Sequence, residues 1–302
     1  MVNTDYKKSD LIYKLINKNP QYNSIYLTNK NLIIGENQKV LPNNGSDFSS
    51  VSQLKTFEKL FEKLGKIDGE LVNRGGIETY QIASMDGQDS KRGGDSSKRL
   101  IKWVNEFTSE DSKIDNLNSV LEIGSLSTKN EISRKYQKIY RIDLNPQNPN
   151  IHKQDFMKME IPKKGKDKFD LISLSLVLNF MLSSTDRGEM LKRICYFLKN
   201  PLEGHMEEKG EKSGLNSIYP SLFLVLPLPC IKNSRYLNLQ LLTEKVMKPL
   251  NFSIIKQHES NKLFYSLWKW HGLKKDTDII NIKYKKQTIQ EGSNRNNFSI
   301  SF

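Results

Sequence analysis

Between residues 120 and 268, short apolar runs alternate with segments of helical periodicity, and this alternation restricts the folds open to the chain. Runs of strand length occupy residues 120–123, 139–143, 169–176 and 222–226. Apolar strands separated by helices join through right-handed crossovers into a parallel sheet that is covered on both faces. The runs at 254–256 and 263–268 have no helix between them and predict a closing antiparallel pair. We therefore predict an α/β fold with a Rossmann-like sheet.

The segments on either side of this region have a different pattern. Residues 1–50 are rich in Asn, Lys and Ser without a sustained period, and predict a disordered basic arm. In 51–115, apolar residues recur at steps of three and four, which predicts a helical N-terminal preface. The Rossmann-like domain is predicted to span 116–272, with a polar insertion at about 201–220 and a basic tail at 273–302.

The composition of the chain indicates which classes of partner it can bind. Its 47 Lys and Arg residues exceed its 34 Asp and Glu residues, and the formal charge of +13 favours a polyanion such as a nucleic acid. An anionic membrane fits the charge as well, but no apolar run is long enough to span a bilayer and the N-terminus is polar. We therefore expect a soluble intracellular protein without a membrane partner. Cys195 and Cys230 lie far apart in sequence, and we expect neither a disulfide nor a metal site.

Glu122 and Gly124 end the first predicted strand, and Asp143 ends the second. In an open parallel sheet, ligands bind outside the carboxyl ends of the strands, near the point where the strand order reverses. A glycine there lets the backbone approach a ligand closely, and a carboxylate nineteen residues later is placed to accept hydrogen bonds from both ribose hydroxyls of a nucleoside. We expect a bulky residue at Gly124 to block the ligand and to leave the fold intact. The alternative for each residue alone is an ordinary turn.

The turn after the first strand lacks the further glycines of a dinucleotide-binding loop. The segment E-I-G-S-L-S at 122–127 contributes one glycine, so no glycine-lined pyrophosphate site is available. S-adenosylmethionine, a nucleoside cofactor without phosphates, does not need one. Asp155 precedes the third apolar run, where its carboxylate would accept a hydrogen bond from the adenine amino group while the Phe156 ring packs the base.

Small polar groups line the exit of the long apolar run at 169–176. We assign Ser173 to the cofactor site and Asn179 to the methyl-transfer centre. The alternative is that Ser173 and Ser175, which alternate with apolar residues, merely fit a crowded sheet face. The segment L-P-L-P-C-I-K-N-S-R-Y at 226–236 combines a stiff strand exit with a basic and an aromatic group, which would suit either a clamp for a flipped base or a rigid loop. The four histidines form no recognisable nucleophile and base arrangement, so a hydrolase is not supported.

Six segments together resemble a known family: L-E-I-G-S-L-S, R-I-D-L-N, Q-D-F-M, F-D-L-I-S-L-S-L-V-L-N-F, R-G-E-M-L and L-F-L-V-L-P-L-P-C-I-K-N-S-R-Y. From about residue 80 to residue 270 the chain resembles the fungal 25S ribosomal RNA adenine-N1 methyltransferase family, whose animal relatives are described as S-adenosylmethionine sensors. The upstream segments Y-Q-I-A-S and R-G-G-D-S-S are also similar.

The resemblance implies a class I methyltransferase sheet, S-adenosylmethionine as cofactor, and a nuclear, nucleolar enzyme that modifies N1 of an adenine in large-subunit ribosomal RNA or a pre-ribosomal particle. Gly124 and Asp143 match the family's cofactor positions, and Arg92 would reach the cofactor carboxylate from the preface. The alternative function is a non-catalytic S-adenosylmethionine sensor that acts through a protein partner.

Overall fold

A mixed sheet of seven strands forms the centre of the computed structural model, which describes residues 94–107, 118–202, 218–275 and 277–302. The strands are β1 (Ser119–Ile123), β2 (Lys138–Asp143), β3 (His152–Lys153), β4 (Leu171–Ser175), β5 (Ser221–Pro227), β6 (Phe252–Glu259) and β7 (Leu263–Trp270). The predicted arm, most of the preface including Arg92, and residues 203–217 of the insertion lie outside the described residues.

The strand order is β3-β2-β1-β4-β5-β7-β6. Neighbouring strands from β3 to β5 are parallel, whereas β7 runs antiparallel to both β5 and β6. The Rossmann-like α/β sheet and its closing antiparallel pair are therefore confirmed, and so is the class I methyltransferase sheet that the resemblance implies. After β1 the chain moves outward to β2 and β3, and it then returns to the other side of β1 as β4. The order thus reverses between β1 and β4, which opens a crevice at their carboxyl ends.

Helices cover both faces of this sheet. They are α1 (Ser97–Phe107), α2 (Glu131–Lys135), α3 (Ser184–Phe197), α4 (Pro229–Lys232), α5 (Leu239–Leu241) and α6 (Thr277–Ile280), with a π-helical turn at Leu242–Met247 and 3-10 turns at Phe156–Lys158, Gly165–Asp167 and Leu178–Phe180. Trp103 of α1 packs edge-on to Phe223 of β5, with ring centroids 6.2 Å apart. Ile194 and Phe197 of α3 pack in a larger apolar cluster on the opposite face.

The C-terminal residues belong to the domain core, which corrects the prediction of a basic tail after residue 272. Ile279, Phe298 and Ile300 are buried in the same apolar cluster as α3, and Phe298 is 6% exposed and Ile300 1% exposed. The sequence did not reveal this because only one short alternation, F-S-I-S-F at 298–302, lies within a stretch rich in Lys, Asn and Gln. Such a short pattern predicts an extended segment only when a partner surface is known.

Candidate functional site

The ends of β1 and β2 lie side by side at the crevice. The backbone N–H groups of Gly124 and Ser125 donate to the Ile142 carbonyl oxygen at 2.9 and 3.1 Å, respectively. These bonds fasten the turn after β1 to the last residues of β2, so Gly124 and Asp143, nineteen residues apart in sequence, are neighbours in the fold. The predicted juxtaposition of a close-approach turn and a strand-end carboxylate is therefore present.

Gly124 is required by the fold itself. Its φ of +72° lies in the left-handed region, and a Cβ built on it would overlap the Cγ2 methyl of Val177, which follows β4. The expectation that a bulky residue here leaves the fold intact is thus wrong, because that expectation considered only the space of a ligand. Glycine lets the turn after β1 pack directly against the exit of β4, and this contact brings the two halves of the crevice together.

Asp143 forms an ordinary turn, which was the alternative explanation for it, but one of its carboxylate oxygens remains available to a ligand. Its Oδ1 accepts the backbone N–H of Asn145 at 2.8 Å, whereas its second oxygen accepts no hydrogen bond from the described residues. Burial raises the pKa of this half-buried carboxyl, and the Asn145 N–H acts in the opposite direction. The arrangement leaves one acceptor oxygen of a fixed carboxylate available at the end of β2.

Asp155 and Phe156 have different roles in the structure. Asp155 begins the 3-10 turn by accepting the Met157 N–H at 2.8 Å, and its other oxygen lies 4.0 Å from Lys158 Nζ. The Phe156 ring is 3% exposed and lies 5.0 Å, centroid to centroid, from Phe197. The expectation that Phe156 packs an adenine is corrected, because its ring is turned into the core and has almost no free surface.

Ser173 also differs from its predicted role. It lies in the middle of β4, paired in register with Glu122 of β1 and Phe223 of β5, and is 3% exposed. The sheet face is crowded at this position, as the alternative held, so direct contact between Ser173 and a cofactor is not supported. Ser175, two residues further on, is the serine of β4 that reaches the strand end, where its Oγ lies 2.9 Å from the Oγ of Ser96.

Asn179 lies in the 3-10 turn that follows β4, on the side of the crevice opposite Asp143. Its Oδ1 is buried and has no hydrogen-bond partner among the residues that the structure describes. The turn is preceded by Leu176, whose φ of +57° is unusual for a residue with a side chain and costs on the order of 1 kcal/mol. A strained approach and an unpartnered buried acceptor are features that a ligand-binding turn commonly shows.

Glu122 is a buried carboxyl residue near the end of β1, a position that the sequence singled out without indicating a role. Its Oε1 accepts the Asn130 amide at 2.6 Å, and its Oε2 lies 3.2 Å from Arg141 Nε in an ion pair whose alignment is too poor for a hydrogen bond. Burial raises the pKa of Glu122 to about 7, although Arg141 acts in the opposite direction. Ser133 completes the cluster by accepting a hydrogen bond from Arg141 at 2.6 Å. The cluster joins β1, β2 and the start of α2 directly beneath the Gly124 turn.

The raised pKa of Glu122 predicts that the stability of the fold decreases as pH rises. A carboxyl with a higher pKa in the folded chain stabilises the fold fully below its ordinary pKa of 4.5, and this contribution is lost as pH rises to about 7. We expect a loss of up to about 3 kcal/mol over this range in the unmodified chain, and no such loss in Glu122→Gln, which keeps the acceptor for Asn130. Thermal unfolding of both proteins from pH 4.5 to 8 measures it. If the difference in stability between the unmodified chain and Glu122→Gln were the same at every pH from 4.5 to 8, the prediction would be contradicted.

Asp95 links the preface helix to the crevice. Its carboxylate accepts the Ser97 N–H at 2.8 Å and the Glu131 N–H at 2.5 Å, so one side chain caps α1 and also binds the first turn of α2. The neighbouring Ser96 contacts Ser175 at the end of β4. The D-S-S part of R-G-G-D-S-S therefore lies at the crevice, whereas Arg92 of the same segment lies outside the described residues.

The N-S-R part of the 226–236 segment binds the C-terminal residues and does not face the crevice as a base clamp. Asn233 donates from its amide to the Asn294 carbonyl at 3.0 Å, Ser234 Oγ donates to the Phe298 carbonyl at 2.6 Å, and the Arg235 N–H donates to the Asn296 carbonyl at 2.8 Å. The rigid-loop alternative is therefore the one that the structure supports.

Two concave regions of the described surface lie away from these strand ends. One is on the outer side of α3 and the other is beside Tyr140, Lys163 and Phe169. Neither contains Gly124 or Asp143, and the crevice is the better candidate because the conformational and electrostatic features above meet there. Within the described ranges, no group of His, Cys, Asp or Glu side chains is arranged to hold a metal ion. No described helix has the length and apolarity needed to cross a bilayer.

Comparison with known proteins identifies the family to which this chain belongs. Residues 65–300 match the family described as 25S rRNA (adenine(2142)-N(1))-methyltransferase, Bmt2. A relative from Saccharomyces cerevisiae, named 25S rRNA (adenine(2142)-N(1))-methyltransferase, is 37% identical over 246 residues, which cover 80% of this chain and 64% of the relative. A relative from Schizosaccharomyces pombe, named 25S rRNA adenine-N(1) methyltransferase, is 36% identical over 242 residues, which cover 79% of this chain and 81% of the relative.

Among solved structures, the chain is similar to the N-methyltransferase NodS from Bradyrhizobium japonicum in complex with S-adenosyl-L-homocysteine, with a TM-score of 0.36 and 11% identity over 60% of this chain and 91% of that one. The chain spans less than two thirds of the length of the Saccharomyces cerevisiae relative. The family match covers most of the chain, including the crevice and the buried C-terminal residues Phe298 and Ile300. This chain therefore belongs to the Bmt2 family of 25S rRNA (adenine-N1)-methyltransferases.

Proposed function

We propose that this protein transfers a methyl group from S-adenosylmethionine to N1 of an adenine in large-subunit 25S ribosomal RNA. The observation that carries the proposal is the crevice between β1 and β4 in a chain of this family: Gly124 and Asp143 are neighbours on one side of it, and the turn that contains Asn179 follows β4 on the other. The names of the two yeast relatives describe the same reaction for those proteins.

The cofactor half of the site is proposed to lie at the ends of β1 and β2. The open oxygen of Asp143 would accept the ribose hydroxyls, and the residues after Gly124 would border the cofactor from the β1 side. Asp155 is half-buried close by in sequence, and its carboxylate remains the proposed acceptor for the adenine amino group. Arg92 remains the proposed partner of the cofactor carboxylate. The bound cofactor supplies an electrophilic methyl group on a positively charged sulfur.

The target base is proposed to enter on the Asn179 side. Adenine N1 is a neutral ring nitrogen with a lone pair, so the protein does not need a general base to activate it. What the side chains must do is hold N1 in line with the methyl group and stabilise the positive charge that develops on the ring. The unpartnered Oδ1 of Asn179 is suited to this because an amide oxygen accepts a hydrogen bond from the base amino group and faces the developing charge with its negative end.

An RNA substrate is consistent with the charge and surface of the domain. The rings of Tyr140 and His152 are stacked at 4.5 Å on the exposed edge formed by β2 and β3. Exposed lysines lie on the same strands, namely Lys138 and Lys153, and Lys163 and Lys164 line the concave region beside Tyr140. Aromatic faces among basic side chains are typical of surfaces that bind single-stranded nucleic acid. N1 lies on the Watson–Crick edge, so the adenine must be unpaired or flipped when it is methylated.

The proposal is tested by incubating the full chain with labelled S-adenosylmethionine and 25S ribosomal RNA, followed by mapping of 1-methyladenosine. We expect one labelled adenine in RNA that lacks the modification, and no label with Asn179→Ala, which removes the amide but keeps the turn. Cofactor binding without methylation of naked RNA or of pre-ribosomal particles would instead support the sensor alternative. Because the substrate is made in the nucleolus, we also propose a nucleolar location, which a fluorescent fusion would test.

A further inference from the structure

Arg187, in the first turn of α3, binds three backbone carbonyl groups from two separate segments. Its Nε donates to Leu178 at 3.2 Å and one terminal nitrogen donates to Met181 at 2.8 Å, so two bonds fasten the turn that contains Asn179. The other terminal nitrogen donates to Ser299 at 2.9 Å, near the C-terminus. Its guanidinium carbon also lies 4.6 Å above the centre of the Phe298 ring. One side chain thus ties the exit of β4 to residues more than a hundred positions later in sequence.

The residue after Arg187 shows how closely the C-terminal residues approach α3. A Cβ built on Gly188 would overlap the carbonyl oxygen of Ser301, and the Ser301 N–H donates to the Ser184 carbonyl at 2.9 Å. The C-terminal backbone therefore lies directly on the first turn of α3. The R-G pair of the R-G-E-M-L motif supplies both the cation that binds this backbone and the space that admits it.

The other end of the same segment is anchored after β5. Ser234 and Arg235 bind the carbonyl groups of Phe298 and Asn296, as described above. We call residues 296–302 the C-terminal brace. The brace is hydrogen-bonded at both ends and buried in between at Phe298 and Ile300. It is therefore a fixed part of the domain and can hold Arg187 in one orientation.

We propose that Arg187 and the C-terminal brace together position the Asn179 turn for methyl transfer, so that Arg187 is a positioning residue of the target-base half of the site. This rests on the proposed function. A guanidinium presents donors in a rigid planar fork, which matches carbonyl groups arriving from different directions, whereas a lysine ammonium cannot span the same three groups. Without the brace, Arg187 loses its Ser299 partner and the Phe298 ring and can leave the turn. The Leu176 backbone, which is strained, would then be free to relax and to carry Asn179 away.

The cofactor half is held by different contacts. Gly124 and Asp143 are fastened by backbone bonds between β1 and β2, and the Glu122 cluster and Asp95 hold α1 and α2 below them. None of these bonds involves Arg187 or the brace. The proposal therefore requires that loss of the Arg187 contacts lowers the rate of methyl transfer and leaves cofactor affinity unchanged, which a general loosening of the fold would not do.

The test compares Arg187→Lys, Phe298→Leu and the double variant with the unmodified full chain. Phe298→Leu keeps an apolar side chain in the core but removes the ring under the guanidinium. Arg134→Lys, the same change at an exposed arginine of α2, is the matched control. We expect kcat of Arg187→Lys to fall by about 10- to 100-fold, with the Kd for S-adenosylmethionine unchanged. Because Arg187 and Phe298 act through one contact, the double variant should be no slower than Arg187→Lys alone.

Three results would overturn the proposal: a normal kcat for Arg187→Lys, an equal loss of cofactor affinity, or losses in the two single variants that multiply in the double variant. A second readout does not depend on activity. Amide hydrogen exchange at Phe180 and Met181, whose N–H groups donate to Val177 and Leu178, should be faster in Arg187→Lys than in Arg134→Lys. Unchanged protection there would also overturn it. If the unmodified chain methylates no RNA, the proposed function fails, and the exchange result still decides whether Arg187 holds the turn.

Discussion

Replacing Gly124 with valine is expected to abolish methylation and to lower the stability of the domain. The β-branched side chain would have to adopt a φ of +72° and would overlap Val177 as well. Left-handed backbone alone costs a residue with a side chain about 1 to 3 kcal/mol, and the overlap adds to it. Because the turn must move away from β4 to make room, the two halves of the crevice separate. We expect less than about 1% of the normal methylation rate, since displacements of about 1 Å at a reacting centre can cost 100-fold.

The control separates the overlap from the backbone strain. Gly124→Ala introduces only a Cβ, and combining it with Val177→Ala removes the methyl group that this Cβ meets. We expect the double variant to be more active than Gly124→Ala alone and still less stable than the unmodified chain, because the strain at φ of +72° persists. Methylation rates and thermal unfolding measure the two effects. Full activity and stability of Gly124→Val would show that the turn after β1 is not built as described.

Replacing Asp143 with alanine is expected to weaken the binding of S-adenosylmethionine by about 10- to 150-fold. This range corresponds to about 1.5 to 3 kcal/mol for the loss of hydrogen bonds to a charged acceptor. Asp143→Asn should lie between the two proteins, since it can keep the bond from the Asn145 N–H but loses the charge. Isothermal titration calorimetry on the full chain measures all three affinities.

Asp167→Ala serves as the matched control, because this aspartate is exposed in the 3-10 turn at Gly165–Asp167. We expect it to bind the cofactor as the unmodified chain does. If Asp143→Ala bound the cofactor as tightly as Asp167→Ala, the end of β2 would not carry the ribose. The role of Asp143 would then be limited to forming the turn with Asn145.

The paired strand ends could be predicted from the sequence because they depend on local pattern and on rules of connection. Apolar runs separated by helices determine a parallel sheet, and the carboxyl ends of its neighbouring strands meet at one edge. Gly124 and Asp143 end two such runs, so their proximity follows from chain order alone. The direction in which a side chain points could not be predicted in the same way, because it depends on which residues pack around it in the fold. The Phe156 ring is buried because Phe197 of α3 packs against it, and Ser173 is buried in the middle of the sheet between β1 and β5.

Sequence by itself determined the class of fold, the edge of the sheet where the site lies, and the positive charge that suits an RNA substrate. Each of these properties depends only on residue order or on composition. Tertiary structure alone decided how the site is held in place. Glu122 and Arg141 become a buried pair only when β1 and β2 lie side by side, and their charges acquire consequences only once water is excluded. Arg187 contacts the C-terminal brace because the tertiary fold brings together residues 112 positions apart in sequence. Contacts between residues more than a hundred positions apart leave no periodic pattern in a single sequence, because they depend on three-dimensional closure rather than on neighbouring residues.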